Sequence, residues 1–182
     1  MTHLDIAEAL ESIEIIVDSR EQPSKQAEKR YKAFGCPYRR QAISYGDYTY
    51  NFRLNGKELI KPDETACPDC VIERKASLEE LSNNLTHGRD RFIREFTRAK
   101  DNGAAIYLLV ENSDLKSIYA GHYQTRFDKH AYFASFIAFL ARYHIQPVFC
   151  PAELSGRVIY EILYRELKER LERGDYDYYS QN

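Results

Sequence analysis

The sequence predicts an α/β protein, a mixed central sheet with helices on both faces. Three observations carry this. Apolar runs of strand length at Ile13–Val17, Val71–Lys75 and Ala104–Val110 alternate with segments of helical period. Helical segments are punctuated by capping residues, Ser24 and Ser77 before and Gly35 and Gly174 after. Tyr48–Leu54 alternates and runs into Asn55-Gly56, a two-residue hairpin signal. At 182 residues the chain reads as a single domain over 1–182, with a core over about 13–171 and flexible ends at 1–12 and 174–182.

The elements follow in order. Ile13–Val17 reads as a buried strand, and Asp18-Ser19-Arg20-Glu21 follows at its C-terminal end, where α/β sheets assemble sites. From the residues alone, a polar turn that caps the next helix explains these four equally well. Ser24 caps a helix over Lys25–Phe34, and Tyr38–Ser44 reads as a strand. Gly46 lets the backbone turn tightly before Asp47. Tyr48–Leu54 and Lys57–Ile60 pair across the hairpin, and the polar loop Lys61–Asp69 leads into Val71–Lys75.

Ser77 caps a helix over Leu78–Asn84; Thr86–Gly88 breaks it before a helix over Arg89–Lys100. Phe92, Ile93, Phe96 and Ala99 form the buried stripe of that helix, and Arg91, Arg94 and Arg98 share an outward face. Such arginines are most often only solvated; three with only Glu95 and Asp90 nearby, directly after the Glu73-Arg74-Lys75 strand, are also suited to gripping phosphates. Ala104–Val110 reads as a central buried strand, with Glu111 structural at its end. A short helix over Asp114–Ala120 and a loop at Gly121–Asp128 follow, with His122 and His130 read as bystanders. The helix His130–Tyr143 carries Tyr132, Phe133, Phe136, Phe139 and Tyr143, which suits either a sandwiched helix or a dimer interface. Gln146–Cys150 is the last strand. In the final helix, Ala152–Arg173, Ile159, Leu163, Leu167 and Leu171 form one seam, and 175–182 reads as a frayed polar tail.

The chemistry concentrates around Val71–Lys75. Period-2 alternation puts Glu73 and Lys75 on one side of a strand and Arg74 on the other. A carboxylate beside an ammonium suits metal-dependent phosphodiester cleavage: one holds the cation, the other steadies a water or phosphate. Asp47 is the natural second carboxylate, brought in by the hairpin. A bare Glu-x-Lys, by contrast, is ordinarily an exposed ion pair.

Gly46-Asp47-Tyr48 followed by Glu73-Arg74-Lys75 closely resembles the signature of the XPF-type nucleases, structure-specific endonucleases of DNA repair and recombination within the restriction-endonuclease-like superfamily. Val17-Asp18-Ser19-Arg20-Glu21 upstream and Leu81 to Gly88-Arg89 downstream agree, and the resemblance spans roughly 13 to 171. Glu79 departs from the pattern, standing where the family carries Asp.

The resemblance implies a restriction-endonuclease-like core with its site where the meander opens. Mg²⁺, or Mn²⁺ as a substitute, would be held by Asp47, Glu73 and the Arg74 backbone carbonyl, with Asp18 assisting as an extra carboxylate. Lys75 would orient or deprotonate the attacking water. Arg20 and Glu21 would support the site, Arg74 and Glu79 would form a supporting ion pair, and Arg89, Arg91, Arg94 and Arg98 would contact DNA. The expected substrate is branched or flapped DNA, or single-strand/double-strand junctions. Because the family dimerises through this domain, the aromatic helix and the leucine seam are the candidates for a homodimer; a separate DNA-targeting partner is the alternative. Little chain flanks the predicted core, which suggests a free-standing domain of prokaryotic or viral type.

Composition sets the remaining bounds. A net charge of −2 gives no global attraction to DNA, so any contact surface must be a local patch. No apolar run reaches the roughly 18 residues that span a bilayer, and Met1–Ser12 has no secretion signal, so an intracellular, cytoplasmic location is expected. Cys67-Pro68-Asp69-Cys70 has zinc-knuckle spacing without a second ligand pair. Two further readings stand beside the nuclease: a catalytically silent DNA-binding scaffold, against which Asp47, Glu73 and Lys75 argue, and a zinc-bearing interaction module resting on Cys67 and Cys70.

Overall fold

The computed structural model describes residues 1–180. Its elements are α1 (His3–Glu11), β1 (Glu14–Asp18), α2 (Lys25–Lys32), β2 (Tyr38–Gln41), β3 (Tyr48–Asn51), β4 (Arg53–Leu54), β5 (Lys57–Glu58), β6 (Cys70–Lys75), α3 (Leu78–Leu85) and α4 (Arg89–Asp101). There follow β7 (Ala105–Glu111), α5 (Leu115–Ala120), α6 (Lys129–Tyr143), β8 (Ile145–Cys150), a 3₁₀ turn (Ala152–Leu154), α7 (Ser155–Arg173) and α8 (Asp177–Ser180).

The main sheet is mixed, in the order β2-β1-β3-β6-β7-β8. β1, β3 and β6 form the antiparallel meander, β7 and β8 continue parallel to β6, and β2 adds to the outer edge parallel to β1. The expected return strand at 57–60 is not part of it. Asn55 and Gly56 take the positive φ angles (53° and 72°) of a tight hairpin, but β4 and β5 pair for only two residues each, in a separate ribbon.

Strand alternation divides the interior in two. Ile15, Val17, Ile72 and Leu109 face α7 and α2, while Val71, Ile106, Leu108 and Val110 face α3, α4 and α6. Glu73 and Lys75 share the side of Val71; Arg74 shares that of Ile72. The seam Ile159, Leu163, Leu167 and Leu171 is at most 1% exposed and packs on the chain's own sheet. That removes it as a dimer surface. On α6, Tyr132, Phe136, Phe139 and Tyr143 are buried in the second core, which is the sandwiched arrangement, and Ile137 is left outside at 41% exposure.

The ends differ from the flexible segments expected at 1–12 and 174–182. Thr2 and Asp5 form a capping box that starts α1. Tyr176 is buried, and its hydroxyl meets Tyr50 Oη at 2.7 Å and donates to Asp69 Oδ2 at 2.8 Å. Residues 181 and 182 of the predicted tail lie outside the described residues. Among the described residues no helix is long and apolar enough to cross a membrane.

Candidate active site

The site forms where β3 begins and antiparallel β6 continues past it. Tyr48 pairs with Ile72, and Asp47 N–H donates to the Ile72 carbonyl at 2.9 Å. Past that point β6 has no strand on this edge. Instead, Arg74 N–H donates to Asp47 Oδ2 at 2.7 Å, so the carboxylate stands in for the missing ladder partner. The turn needs glycine: Gly46 has φ 75°, and a Cβ there would come within 2.1 Å of Val71 Cγ2. The Asp47 carbonyl accepts from Asp18 N–H at 2.8 Å, which ties the end of β1 to the same corner.

Glu73 and Lys75 lie side by side, with Lys75 Nζ donating to Glu73 Oε1 at 2.6 Å. Both are nearly buried. Lys75 Nζ is also 3.7 Å from Glu80 and 5.2 Å above the Phe92 ring. A cavity of about 210 Å³ opens in front of this group, lined by Asp18, Arg20, Glu21, Gly46, Asp47, Glu73, Arg91 and Glu95. Five of these eight are acids.

That crowding shows in the proton affinities. Burial first, then the Glu73 charge, pushes Asp47 well above the ordinary carboxylate range. Burial and Glu73 likewise push Glu95 up. Burial alone would lower Lys75, but Glu73 and Asp47 outweigh it and hold the ammonium form more firmly than usual.

The supporting residues divide between the two faces. Arg20 N–H and Nε donate to Asp18 Oδ1 and Oδ2 at 3.0 and 2.7 Å, so both Asp18 oxygens are engaged. Arg20 also donates to the Ile43 carbonyl and lies 3.8 Å from Glu95. Glu21 lines the cavity from behind and accepts from Arg30, Tyr31 and Tyr48 on the far side.

The expected Arg74–Glu79 pair does not form. Arg74 projects to the α2 and α7 face, 2.9 Å from Glu111 and 3.8 Å from Glu21. Glu79 sits on α3 over the opposite face and accepts from Gln124 N–H at 2.8 Å, bracing the loop at 121–128. Strand alternation separates the two.

On α4, Arg91, Arg94 and Arg98 are exposed, and Arg91 reaches the cavity rim. Arg89 departs from the group: it is half-buried, donates to the Leu85 carbonyl at 3.3 Å and lies over the Phe139 ring at 5.3 Å. Glu95, Arg30 and Glu111 were absent from the predicted set. Glu95 lies at helical spacing with Phe92 and Phe96, and Arg30 with Ala27 and Tyr31, a signal that could have found both on buried faces.

The donor set fits a hard cation. Among the described residues no group of three or more His, Cys, Asp or Glu is placed to hold a metal, at this site or at Cys67 and Cys70. Those two thiols are free and diverge, Cys67 exposed and Cys70 in the core. Asp47 and Glu73 supply two carboxylates whose mutual repulsion a cation relieves. In a strand the N–H and C=O of one residue point to the same edge, so the Arg74 carbonyl faces the edge that its N–H shares with Asp47. Two carboxylates and a carbonyl leave positions for water, as Mg²⁺ prefers.

The ERCC4 domain family model matches residues 17–162. The solved structure of XPF from Aeropyrum pernix superposes with a TM-score of 0.59 at 16% identity, covering 90% of this chain and 69% of that one. XPF from Aeropyrum pernix in complex with DNA superposes with a TM-score of 0.58 at 18% identity, covering 86% and 65%. The shared architecture is the restriction-endonuclease-like one, with this chain spanning about two thirds of each relative. No curated protein sequence matches.

Proposed function

This chain belongs to the ERCC4 domain family, and on that premise we propose that it is a metal-dependent DNA endonuclease acting on branched or flapped DNA in repair or recombination. The observation that carries the reading is the convergence of Asp47, Glu73 and Lys75 at one strand end, Asp47 bonded to the Arg74 peptide and Lys75 to Glu73. The relative solved in complex with DNA supports the substrate class.

In this reading Asp47, Glu73 and the Arg74 carbonyl hold Mg²⁺, for which Mn²⁺ can substitute. The ion supplies Lewis-acid polarisation of the phosphate and a more acidic water. Lys75, held as the ammonium by Glu73 and Asp47, orients that water and offsets the charge that develops on the phosphoryl oxygens. Its raised proton affinity favours this role over proton abstraction. Arg20 neutralises Asp18 at the rim, so Asp18 acts through the backbone bond to Asp47 rather than as a ligand. Arg91, Arg94 and Arg98 contact phosphates beside the cavity. A nuclease with this substrate would act inside the cell, and a second copy or a separate targeting partner would supply recognition of junction shape.

A cleavage panel of flap, fork, Holliday junction and linear duplex DNA tests the proposal. Cutting in Mg²⁺, lost in EDTA and favouring a branched substrate, is expected. Binding without cutting in either Mg²⁺ or Mn²⁺ would replace the proposal with the silent scaffold.

A further inference from the structure

A closed ring of buried and half-buried charges lies behind the cavity, mostly on the opposite face of the sheet, with Glu21 reaching the cavity wall. Glu111 Oε2 accepts from Arg74 Nη1 at 2.9 Å, and Glu111 Oε1 is 3.4 Å from Arg30 Nε. Arg30 Nη1 donates to Glu21 Oε1 at 2.9 Å and to Tyr48 Oη at 3.2 Å, and Tyr48 Oη donates to Glu21 Oε2 at 2.6 Å. Glu21 closes the ring, 3.8 Å from Arg74. Arg30 and Glu111 are 7% and 3% exposed.

Each front-face residue has a chain neighbour in this ring. Glu21 follows Asp18 by one turn of chain, Tyr48 adjoins Asp47, and Arg74 lies between Glu73 and Lys75. The ring therefore grips all three backbones that bear the site, at the residues pointing away from it. Resting on the nuclease reading above, we infer that Arg30 and Glu111 are positioning residues: they anchor the Arg74 side chain from behind, so that the Arg74 peptide keeps its N–H on Asp47 and its carbonyl at the metal position.

Stability alone is a poor account of the ring. Buried ion pairs are commonly replaced by apolar residues of like volume at no cost to the fold, and here Glu111 Oε1 lacks any hydrogen-bond donor. What four interlocked charges do supply is fixed geometry. A guanidinium held by two acids on different elements cannot rotate without breaking both contacts.

The test is the double variant Arg30→Met/Glu111→Leu, compared with Asp47→Ala and wild type. Folding is checked by circular dichroism, Mn²⁺ binding to the DNA-free protein by calorimetry, and kcat and KM on flap DNA at saturating Mg²⁺. Outer-shell partners of a metal typically govern about 10- to 100-fold in affinity or activity. The folded double variant is expected to lose that much in Mn²⁺ affinity and in kcat, with KM for DNA unchanged. A folded double variant with wild-type Mn²⁺ affinity and kcat would overturn the inference. If the double variant does not fold, Glu111→Gln, which keeps the volume and one acceptor, carries the same expectation and the same overturning result. Asp47→Ala separates the two levels: Mn²⁺ binding unchanged in Asp47→Ala refutes the metal site itself, whereas binding lost there and kept in the ring variant refutes the inference alone.

Discussion

At the scale of single residues, the site is defined by acids that repel one another. Asp47 is held above its ordinary pKa of 3.8 by burial and by Glu73. Because the raised value belongs to the folded state, the stability Asp47 contributes is complete below the unfolded value and is lost as pH rises through the folded one. A divalent ion competes with that proton. Millimolar Mg²⁺ should therefore raise the melting temperature more at pH 8 than at pH 5, and Asp47→Asn should erase the difference; scanning calorimetry at the two values checks it, and an equal shift at both contradicts it. The front of this constellation was legible in the sequence, because period-2 alternation alone puts Glu73 and Lys75 together and Arg74 opposite. The partner of Arg74 was not: proximity to Glu79 in sequence does not reveal which face α3 covers, and Glu111 arrives from a strand 37 residues away. Tyr176 gave no periodic signal within a polar tail, yet it is buried.

At the scale of elements, α4 does two jobs on two faces. Phe92, Phe96 and Ala99 seat it on the sheet, while Arg91 at the cavity rim, Arg94 and Arg98 remain exposed. Arg94→Glu should weaken DNA binding and reduce the slope of log K against log salt by about 1. Arg89→Ala should leave that slope unchanged and lower stability instead, since Arg89 lies over Phe139. Fluorescence anisotropy over a salt series distinguishes them; equal slopes for Arg94→Glu and wild type would remove α4 from the DNA surface. Helical period and capping residues made α2, α3, α4 and α7 readable. α1 was missed although Ile6, Ala9 and Leu10 recur at helical spacing behind the Thr2 cap. The residues 57–60 were misassigned because Asn55-Gly56 specifies a turn, not which sheet its arms join.

At the scale of the whole molecule, the sheet separates a front core and the acidic cavity from a back core and its ring of charges. The leucine seam of α7 closes the back core, so it stabilises the monomer. Leu163→Ala should cost about 2–5 kcal/mol by urea unfolding without altering the mass measured by light scattering; a change of oligomeric state with unchanged stability would return the seam to an intermolecular role. The most direct test of the account is single-turnover cleavage of labelled flap DNA by wild type, Asp47→Asn and Lys75→Ala in Mg²⁺, with DNA affinity measured alongside in Ca²⁺. Both variants are expected to bind as wild type does and to cut at least about 10²-fold more slowly. Either variant cutting at the wild-type rate would contradict it.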